Sequence, residues 1–333
     1  MSGRTVVVSM GQVRHLVPMK DCIRLQEDVF RLSASGRAWE GASAWTLPDA
    51  VPMAHPRAAK MMLGGIEPDW WGIKTLAHSD GTPQTKRRMQ ILSLFHAESL
   101  LPAALIEANY LGYLRTGAAS AVATRHLARP DARVLGVLGT GAVVRFAVCA
   151  HVALGWPIER IVLYSPSAER REQYAHELRD RHGLAVEAVE DVDEAVRRAE
   201  ILISGTGAGR PAFDPQLLLP GAHVNAMGHR AELDHRIFEI ARTIADDRAN
   251  AIANGKLSVA IRAGAATADV IAASLGEVVA GERPGRSSER DITLFDSSGV
   301  TFQDIAVGIH VWRLARERGI GERVELDTDA DMW

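Results

Sequence analysis

The chain has 333 residues, which is enough for two domains of ordinary size or for one large α/β domain with additions. Hydrophobic residues make up 47% and charged residues 24%, so the composition is that of a globular protein and excludes a disordered or fibrous chain. Lys plus Arg (38) nearly balance Asp plus Glu (41), and this net charge of −3 gives no field of one sign to recruit nucleic acid or an anionic membrane. We therefore expect a small-molecule partner.

The two cysteines, Cys22 and Cys149, lie in apolar helical patterns without a second cysteine at metal-ligand spacing. We expect both to be reduced core residues, and we expect no metal site. Residues 1–12 lack the charged start and apolar stretch of a signal peptide. No apolar run approaches the roughly 20 residues that a membrane helix requires. These features predict a cytoplasmic protein that binds neither nucleic acid nor membrane.

The first third of the chain predicts a small mixed sheet with helices. Apolar residues recur at helical spacing over 19–33, and Gly36 stands where a helix stop is expected. Short strand-like segments follow at 59–63, 72–77 and 90–95. A long helix is expected over 105–127, where small residues at 116–121 allow backbones to approach closely and Pro130 ends the helix.

From Arg133 onwards the pattern changes to alternating strands and helices. Strands are predicted at 134–138, 161–163, 186–188, 201–204, 223–227, 243–245 and 292–295, with helices up to 154 and 182 and a short one after 188. This alternation is typical of a doubly wound parallel sheet, so the predicted fold class is α/β. A final helix over 302–318 is expected to return to the first domain, and the acidic tail after Gly321 is expected to fray.

A glycine turn joins the strand at 134–138 to the next helix. Gly139 permits a tight turn, Gly141 lets the backbone approach a pyrophosphate, and free N–H groups at the helix start accept its charge. The third position of the motif is Val144, where Gly or Ala is usual. Two glycines alone would also fit a plain connection, but the flanking strands and helix favour a dinucleotide site. The residues expected to hold the cofactor here are Gly139, Thr140, Gly141, Ala142 and Val143.

The end of the second strand bears on the choice between NAD and NADP. Many NAD enzymes place Asp or Glu there on the ribose hydroxyl, whereas this chain has Ser165 and Ser167, followed by Arg170 and Arg171. Hydroxyls and cations without an acidic residue favour a 2′-phosphate, and therefore NADP over NAD. The alternative is that both arginines lie on a solvated helix face.

Five motifs carry a family resemblance. They are Gly-Ile-Lys at 72–74, Leu-Arg-Thr-Gly-Ala-Ala-Ser-Ala at 114–121, Gly-Thr-Gly at 139–141 with Arg145 behind it, Asn-Ala-Met-Gly at 225–228, and Phe-Asp-Ser-Ser-Gly at 295–299 followed by Gln303 and Asp304. With this set, the chain resembles the ornithine cyclodeaminase/μ-crystallin family over most of its length. The resemblance implies a homodimer. It also implies a smaller α+β substrate-binding and dimerisation domain (1–128 plus 302–333) around an inserted Rossmann-type dinucleotide-binding domain (129–301).

The resemblance assigns Lys74 and Arg115 to the substrate cleft, where they hold the carboxylate and assist proton movement at nitrogen. A guanidinium can grip a carboxylate through two parallel hydrogen bonds, and a lysine buried near other cations can lose its proton. The alternatives are a surface lysine at a strand end and a salt bridge between helices. Further expected cofactor contacts are Thr206, Asn225, Met227 and Ser297.

Two departures from the family pattern argue against ornithine cyclodeamination in particular. Cyclodeaminases have an aspartate just after the Asn-Ala-x-Gly motif, whereas this chain has His229 in a shortened loop. His229 is a candidate replacement because an imidazole titrates near neutral pH, although a loop histidine is more often a bystander. An early-strand arginine that binds carboxylate in the family is replaced by Ala44 and Trp45. Asp296 is a further catalytic candidate, with a helix cap as its alternative.

The sequence therefore predicts an NAD(P)-dependent oxidoreductase that transfers a hydride to or from the α-carbon of a small imino or amino acid. Reduction of a preformed C=N bond needs only a hydride and one proton, so it requires fewer groups than loss of ammonia with ring closure. Hydride transfer needs no protein nucleophile, because the nicotinamide carries the electrons. The alternatives are a cyclodeaminase-like cyclisation and a non-catalytic NADP-binding protein of the μ-crystallin kind.

Overall fold

A computed structural model describes residues 4–46, 58–78 and 88–326. From the N-terminus the elements are β1 (Arg4–Val8), α1 (Met10–Leu16), α2 (Met19–Ala34), β2 (Ala38–Thr46), β3 (Ala58–Ile66), β4 (Trp70–His78), β5 (Arg88–His96), β6 (Pro102–Glu107) and α3 (Asn109–Leu127). Then follow β7 (Val134–Leu138), α4 (Ala142–Leu154), β8 (Arg160–Tyr164), α5 (Ala168–His182), β9 (Val186–Val189), α6 (Val192–Arg198), β10 (Ile201–Ser204) and β11 (His223–Ala226). The last elements are α7 (Ile237–Ile240), β12 (Ala241–Ala245), α8 (Arg248–Asn254), α9 (Lys256–Arg262), β13 (Ile271–Ser274), α10 (Leu275–Val279), β14 (Ile292–Asp296), α11 (Thr301–Arg318) and β15 (Glu322–Glu325).

The chain divides into two compact units. The first unit comprises Met1–Arg115 and Val300–Trp333, and the second comprises Thr116–Gly299. The division falls inside α3, after Arg115, whereas the boundary that the resemblance implies lies after residue 128. Among the described residues, none of the helices is long and apolar enough to cross a membrane.

The first unit is a seven-stranded sheet in the order β15-β1-β6-β5-β4-β3-β2, antiparallel except where β1 runs parallel to β6. Side chains alternate across it. Met62, Lys74 and Leu92 share one buried row, whereas Met61 and Ile91 share a row on the opposite face. Helices α2 and α11 pack together through Phe30 and Phe302, whose ring centroids are 5.9 Å apart, edge to face.

Most predictions for the first unit are confirmed. The helix over 19–33 is α2, and the three strand-like segments are β3, β4 and β5. The predicted start of the helix over 105–127 is wrong, since Leu105 lies in β6, where Ala104 and Ile106 are buried and Leu105 is exposed. The expected fraying after Gly321 is wrong up to Glu325, because β15 pairs with the edge strand β1; the rest of the tail lies outside the described residues.

The second unit is a parallel eight-stranded sheet in the order β13-β12-β14-β11-β10-β7-β8-β9. The predicted strands and the long helices up to 154 and 182 are all present, so the doubly wound α/β fold class is confirmed. The sequence missed β13 and the short helices α7 to α10. The order of the strands reverses between β7 and β10, and ligands of such sheets bind beyond the carboxyl ends of the strands at this point.

Candidate functional site

The first unit brings Lys74 and Arg115 to one carboxylate. Lys74 lies on the buried face of β4, and its Nζ donates to Asp304 Oδ1 at 2.7 Å. Arg115 Nε donates to the same oxygen at 3.3 Å. The exposed fractions are 3% for Lys74, 7% for Arg115 and 0% for Asp304. The buried cluster overturns the alternative of a surface lysine. The alternative for Arg115, a salt bridge between helices, is present, because Arg115 lies on α3 and Asp304 on α11.

Gln303 extends the cluster along α11. Arg115 Nη1 donates to Gln303 Oε1 at 2.6 Å, which directs the amide nitrogen of Gln303 away from the guanidinium. Within the described part of the chain, neither Gln303 Nε2 nor Asp304 Oδ2 has a hydrogen-bond partner, although both side chains are fully buried. One free donor and one free acceptor therefore remain beside the two cations.

The environment of Lys74 makes it suited to proton transfer. The pKa of Lys74 is lowered to about 8, mainly by burial; the positive charges of Arg115 and Arg88 act in the same direction, and the attraction of Asp304 opposes them. A lysine with a pKa near 8 populates both protonation states close to neutral pH. General acid–base catalysis is most effective with such a group.

Gly112 provides the space for this ammonium. A Cβ at this position of α3 would lie 3.3 Å from Lys74 Nζ and 3.2 Å from Gln90 Oε1. Both distances are tighter than ordinary van der Waals contact. No sequence signal pointed to Gly112, because a glycine in the first turn of a helix has many explanations.

In the second unit, the glycine turn fits a dinucleotide. Gly139 has φ +105°, a backbone conformation that favours glycine, and its N–H donates to Tyr164 O at 2.8 Å. Gly141 caps α4, and a Cβ built on it would meet nothing within 4 Å. The open space lies at the start of a helix of 13 residues, beside Thr140, Ala142 and Val143. These residues could hold a pyrophosphate at the helix N-terminus.

Val144 is compatible with this turn because of a glycine opposite it. Val144 is fully buried, and its Cγ2 would lie 2.6 Å from a Cβ at Gly205, just beyond β10. The small residue that close packing needs is thus supplied by the neighbouring strand. The departure from the usual third position does not disturb the fit of helix on strand.

The segment after β8 separates the two arginines. Ser167 Oγ accepts the N–H of Arg170 at 3.3 Å and caps α5, while Arg170 itself is exposed. Arg171 is buried and donates from Nη1 to Ser165 O at 2.8 Å. The alternative of two solvated arginines therefore holds for Arg170 alone.

A buried glutamate that the sequence did not single out organises the loops after β10 and β11. Glu232 Oε2 accepts from Ser204 Oγ at 2.9 Å and from Thr206 N and Oγ1 at 3.0 and 3.1 Å. Glu232 Oε1 accepts the N–H of Gly228 at 2.7 Å. Burial raises the pKa of Glu232. Thr206 thus owes its position to Glu232, a residue with no recognisable motif.

Asn225 and Met227 hold the end of β11. Asn225 Nδ2 donates to Thr124 Oγ1 at 2.9 Å, and Thr124 Oγ1 lies 2.8 Å from His151 Nε2. Burial lowers the pKa of His151 to about 4, so this histidine is neutral at pH 7. The N–H of Met227 donates to Ser204 O at 2.8 Å. Through these hydrogen bonds, Asn225 and Met227 connect the end of β11 to α3 and to β10.

Asp296 and Ser297 make structural contacts. The two carboxylate oxygens of Asp296 accept the N–H groups of Lys256 and Leu257 at 3.3 and 3.1 Å, which caps α9. Lys256 Nζ donates to Ser297 O at 3.0 Å. The structure thus gives Asp296 the capping contact that was its alternative.

His229 lies in an exposed loop. Its Nδ1 accepts the N–H of Ala231 at 3.2 Å, and its own N–H donates to Thr206 O at 2.8 Å. Both hydrogen bonds are local contacts within the loops, and a role for His229 as the replacement base stays a prediction. The side chains of Ala44 and Trp45, at the position of the expected arginine, lie outside the described residues.

Comparison with known proteins agrees with this fold. The family model described as "Ornithine cyclodeaminase/mu-crystallin family" matches residues 4–319. A delta(1)-pyrroline-2-carboxylate reductase of Bacillus cereus is 36% identical over 330 residues, covering 96% of this chain and 99% of that protein.

Two solved structures are similar over nearly the whole chain. An archaeal alanine dehydrogenase dimer with bound NAD has a TM-score of 0.90 and 27% identity, covering 97% of this chain and 100% of that one. Thermococcus litoralis delta(1)-pyrroline-2-carboxylate reductase, in complex with NADH and L-proline, has a TM-score of 0.86 and 26% identity, covering 96% of this chain and 100% of that one. The chain therefore belongs to the ornithine cyclodeaminase/mu-crystallin family.

Proposed function

We propose that this chain is an NAD(P)-dependent oxidoreductase that reduces the C=N bond of a small α-imino acid, or oxidises the corresponding α-amino acid. The observation that carries the proposal is the buried cluster of Lys74 and Arg115 on one oxygen of Asp304. Two buried cations on one carboxylate leave a positive charge for a ligand carboxylate. The reductase and dehydrogenase activities named for similar proteins support the same chemistry.

Each group has a role that follows from its geometry. Arg115 binds the substrate carboxylate through Nη2, the guanidinium nitrogen that does not donate to Asp304 or Gln303. The ammonium of Lys74 delivers a proton to the imine nitrogen, and its lowered pKa favours that transfer. The nicotinamide held by the glycine turn supplies the hydride, so the protein contributes placement and charge.

The test is consumption of NADPH or NADH with Δ1-pyrroline-2-carboxylate, and with 2-oxo acids plus amines. Lys74→Ala should lower kcat/KM at least about 100-fold, the lower end of the usual contribution of a general acid. Lys20→Ala, an exposed lysine on α2, is the control and should leave turnover unchanged. Tight cofactor binding without turnover would favour a binding protein, and release of ammonia from ornithine would favour a cyclodeaminase.

A preference for NADP belongs to the same proposal. The segment after β8 contains Ser165, Ser167 and the exposed Arg170. An acidic residue in this segment would repel a 2′-phosphate, whereas these hydroxyls and this cation can bind one. The ratio of kcat/KM for NADPH to that for NADH should exceed one and should fall in Arg170→Ala. Arg181→Ala, an exposed arginine at the other end of α5, should leave the ratio unchanged.

We also propose a cytoplasmic homodimer. The sheet face of the first unit opposite α11 carries exposed apolar side chains, and these are Met61, Met89, Ile91 and Leu105. A second copy of the same face is the occupant we propose, and the archaeal alanine dehydrogenase, which is described as a dimer, supports this choice. The free thiols of Cys22 and Cys149 fit a reducing compartment.

A further inference from the structure

Asp304 is fully buried, yet only one of its two carboxylate oxygens has hydrogen-bond partners among the described residues. The side chain has no exposed area, Lys74 and Arg115 both donate to Oδ1, and Oδ2 has no partner among the residues that the structure describes. A buried polar atom without a partner costs about 1–3 kcal/mol, more when it is charged. An oxygen left free at this cost, beside two cations, points to a ligand that donates a hydrogen bond.

The cluster is complementary to an α-imino acid. Arg115, Lys74 and Gln303 Nε2 present donors, and Asp304 Oδ2 presents an acceptor next to them. A protonated α-imino acid carries a carboxylate, which accepts, and an N–H on the adjacent carbon, which donates. The corresponding 2-oxo acid carries the same carboxylate but an oxygen with lone pairs in place of the N–H.

We propose that Asp304 is the residue by which this site selects C=N over C=O, with Oδ2 accepting the N–H of the protonated imine. The inference rests on the proposed function and adds the basis of its substrate selectivity. A 2-oxo acid would set its carbonyl lone pairs against those of a buried carboxylate, so neither group would find a partner. A site built to hydrogen-bond an N–H rejects analogues without it far more strongly than a hydrophobic pocket can.

The reaction balances with the groups present. The Lys74 ammonium transfers its proton to the imine nitrogen, and the resulting N–H is held by Asp304 Oδ2. The hydride from NAD(P)H then forms the new C–H bond, the π electrons of C=N become the lone pair of the amine, and NAD(P)⁺ is produced. Solvent returns a proton to Lys74. The carboxylate of Asp304 stabilises the positive charge on nitrogen before hydride transfer.

The experiment compares kcat/KM for Δ1-pyrroline-2-carboxylate and for pyruvate in ammonia-free buffer. The wild type should prefer the imine by a factor of about 10⁴, the size of discrimination seen for sites that hydrogen-bond the group in question. Asp304→Asn, which keeps the shape but can donate to a carbonyl, should lower this ratio at least about 100-fold. An Asp304→Asn variant that loses activity on both substrates by one factor, with an unchanged ratio, would overturn the inference.

Gln303→Leu is the matched control. This variant removes Gln303 Nε2, a donor that we propose for the substrate carboxylate. Both substrates carry that carboxylate. The two values of kcat/KM should therefore fall together, and their ratio should stay constant. Cofactor binding, followed by fluorescence, should be the same in the wild type and both variants.

A binding measurement on the wild type avoids any effect on folding. L-Proline should inhibit, whereas tetrahydrofuran-2-carboxylate, whose ring oxygen replaces the N–H, should bind at least about 100-fold more weakly. Equal inhibition by the two would overturn the inference. Absence of imine-dependent NAD(P)H oxidation in the wild type would instead overturn the proposed function.

Discussion

The charge of Lys74 is disfavoured by its burial and by two arginines, and is sustained by Asp304. Because the pKa is lowered to about 8, the ammonium predominates below pH 8 and the free amine above it. In the reductive direction Lys74 must be protonated, so kcat/KM should fall as the pH rises through about 8. In the oxidative direction it must accept a proton, so kcat/KM should rise over the same range.

These two pH dependences are measured as initial rates in both directions, at fixed ionic strength, between about pH 6 and about pH 10. Lys74→Arg keeps the positive charge, but arginine does not titrate in this range. The residual kcat/KM of that variant should therefore show neither the fall in the reductive direction nor the rise in the oxidative direction. Opposite pH dependences that persist in Lys74→Arg would assign the titration to another group.

Gly112 allows stability and activity to be separated at one residue. Gly112→Ala should raise helix propensity by up to about 1 kcal/mol, because alanine loses less backbone entropy in a helix. The new Cβ would press on Lys74 Nζ and Gln90 Oε1 at 3.3 and 3.2 Å and displace the ammonium. We expect an unchanged or higher Tm together with a kcat/KM lowered about 10-fold or more, since small misplacements of a catalytic group are costly.

Gly11→Ala in α1 is the control for Gly112, because a Cβ there meets nothing within 4 Å. It should change the Tm in the same direction and leave kcat/KM as it is. Full activity in Gly112→Ala would show that the space beside Lys74 is not needed.

At the level of elements, periodicity predicted those helices and strands that have one buried face. The strands β7 and β10 of the second unit are instead buried on both faces, and their continuous apolar runs predicted them with the correct bounds. Periodicity failed at β6, where the apolar content of a short strand continues into α3. It failed again at β15, whose exposed side chains carry no pattern and whose pairing with β1 rests on backbone hydrogen bonds.

Glu232 accepts hydrogen bonds from both the loop after β10 and the loop after β11. Glu232→Gln would put an amide donor where one carboxylate oxygen now accepts, so that either the N–H of Gly228 or the N–H and hydroxyl of Thr206 would lose their acceptor. Because these loops follow the strand ends beside the switch point, we expect the Kd for NAD(P)H to rise about 10-fold, the equivalent of one lost hydrogen bond to a charged group.

Fluorescence titration with NADPH and NADH measures this effect, and kcat at saturating cofactor should change less than the Kd. Glu239→Gln, an exposed glutamate on α7, should bind the cofactor as the wild type does. An unaltered Kd in Glu232→Gln would mean that the two loops keep their positions without this carboxylate.

At the scale of the whole molecule, the candidate site is assembled from distant parts of the chain. Lys74 and Asp304 are 230 residues apart, and Arg115 and Asp304 are 189 apart. Motif chemistry indicated Lys74 and Arg115, and it predicted the glycine turn. The sequence could not show that Asp304 lies between the two cations, or that Gly205 makes room for Val144, because these contacts depend on tertiary packing.

The open face of the first sheet gives the last prediction. Ile91 is 40% exposed and shares its row with Met61, so a second copy covering this face would bury both. Ile91→Arg would place an uncompensated charge in that interface, at a cost of about 3–5 kcal/mol for each buried charge. A two-fold interface contains the substitution twice, so the Kd of the dimer should rise more than about 1,000-fold.

Sedimentation equilibrium should show a dimeric wild type and a monomeric Ile91→Arg. Ile252→Arg, at an apolar residue of α8 that is 38% exposed, should remain dimeric. A monomeric wild type at micromolar concentration, or an Ile91→Arg variant that still dimerises, would remove this face from the assembly.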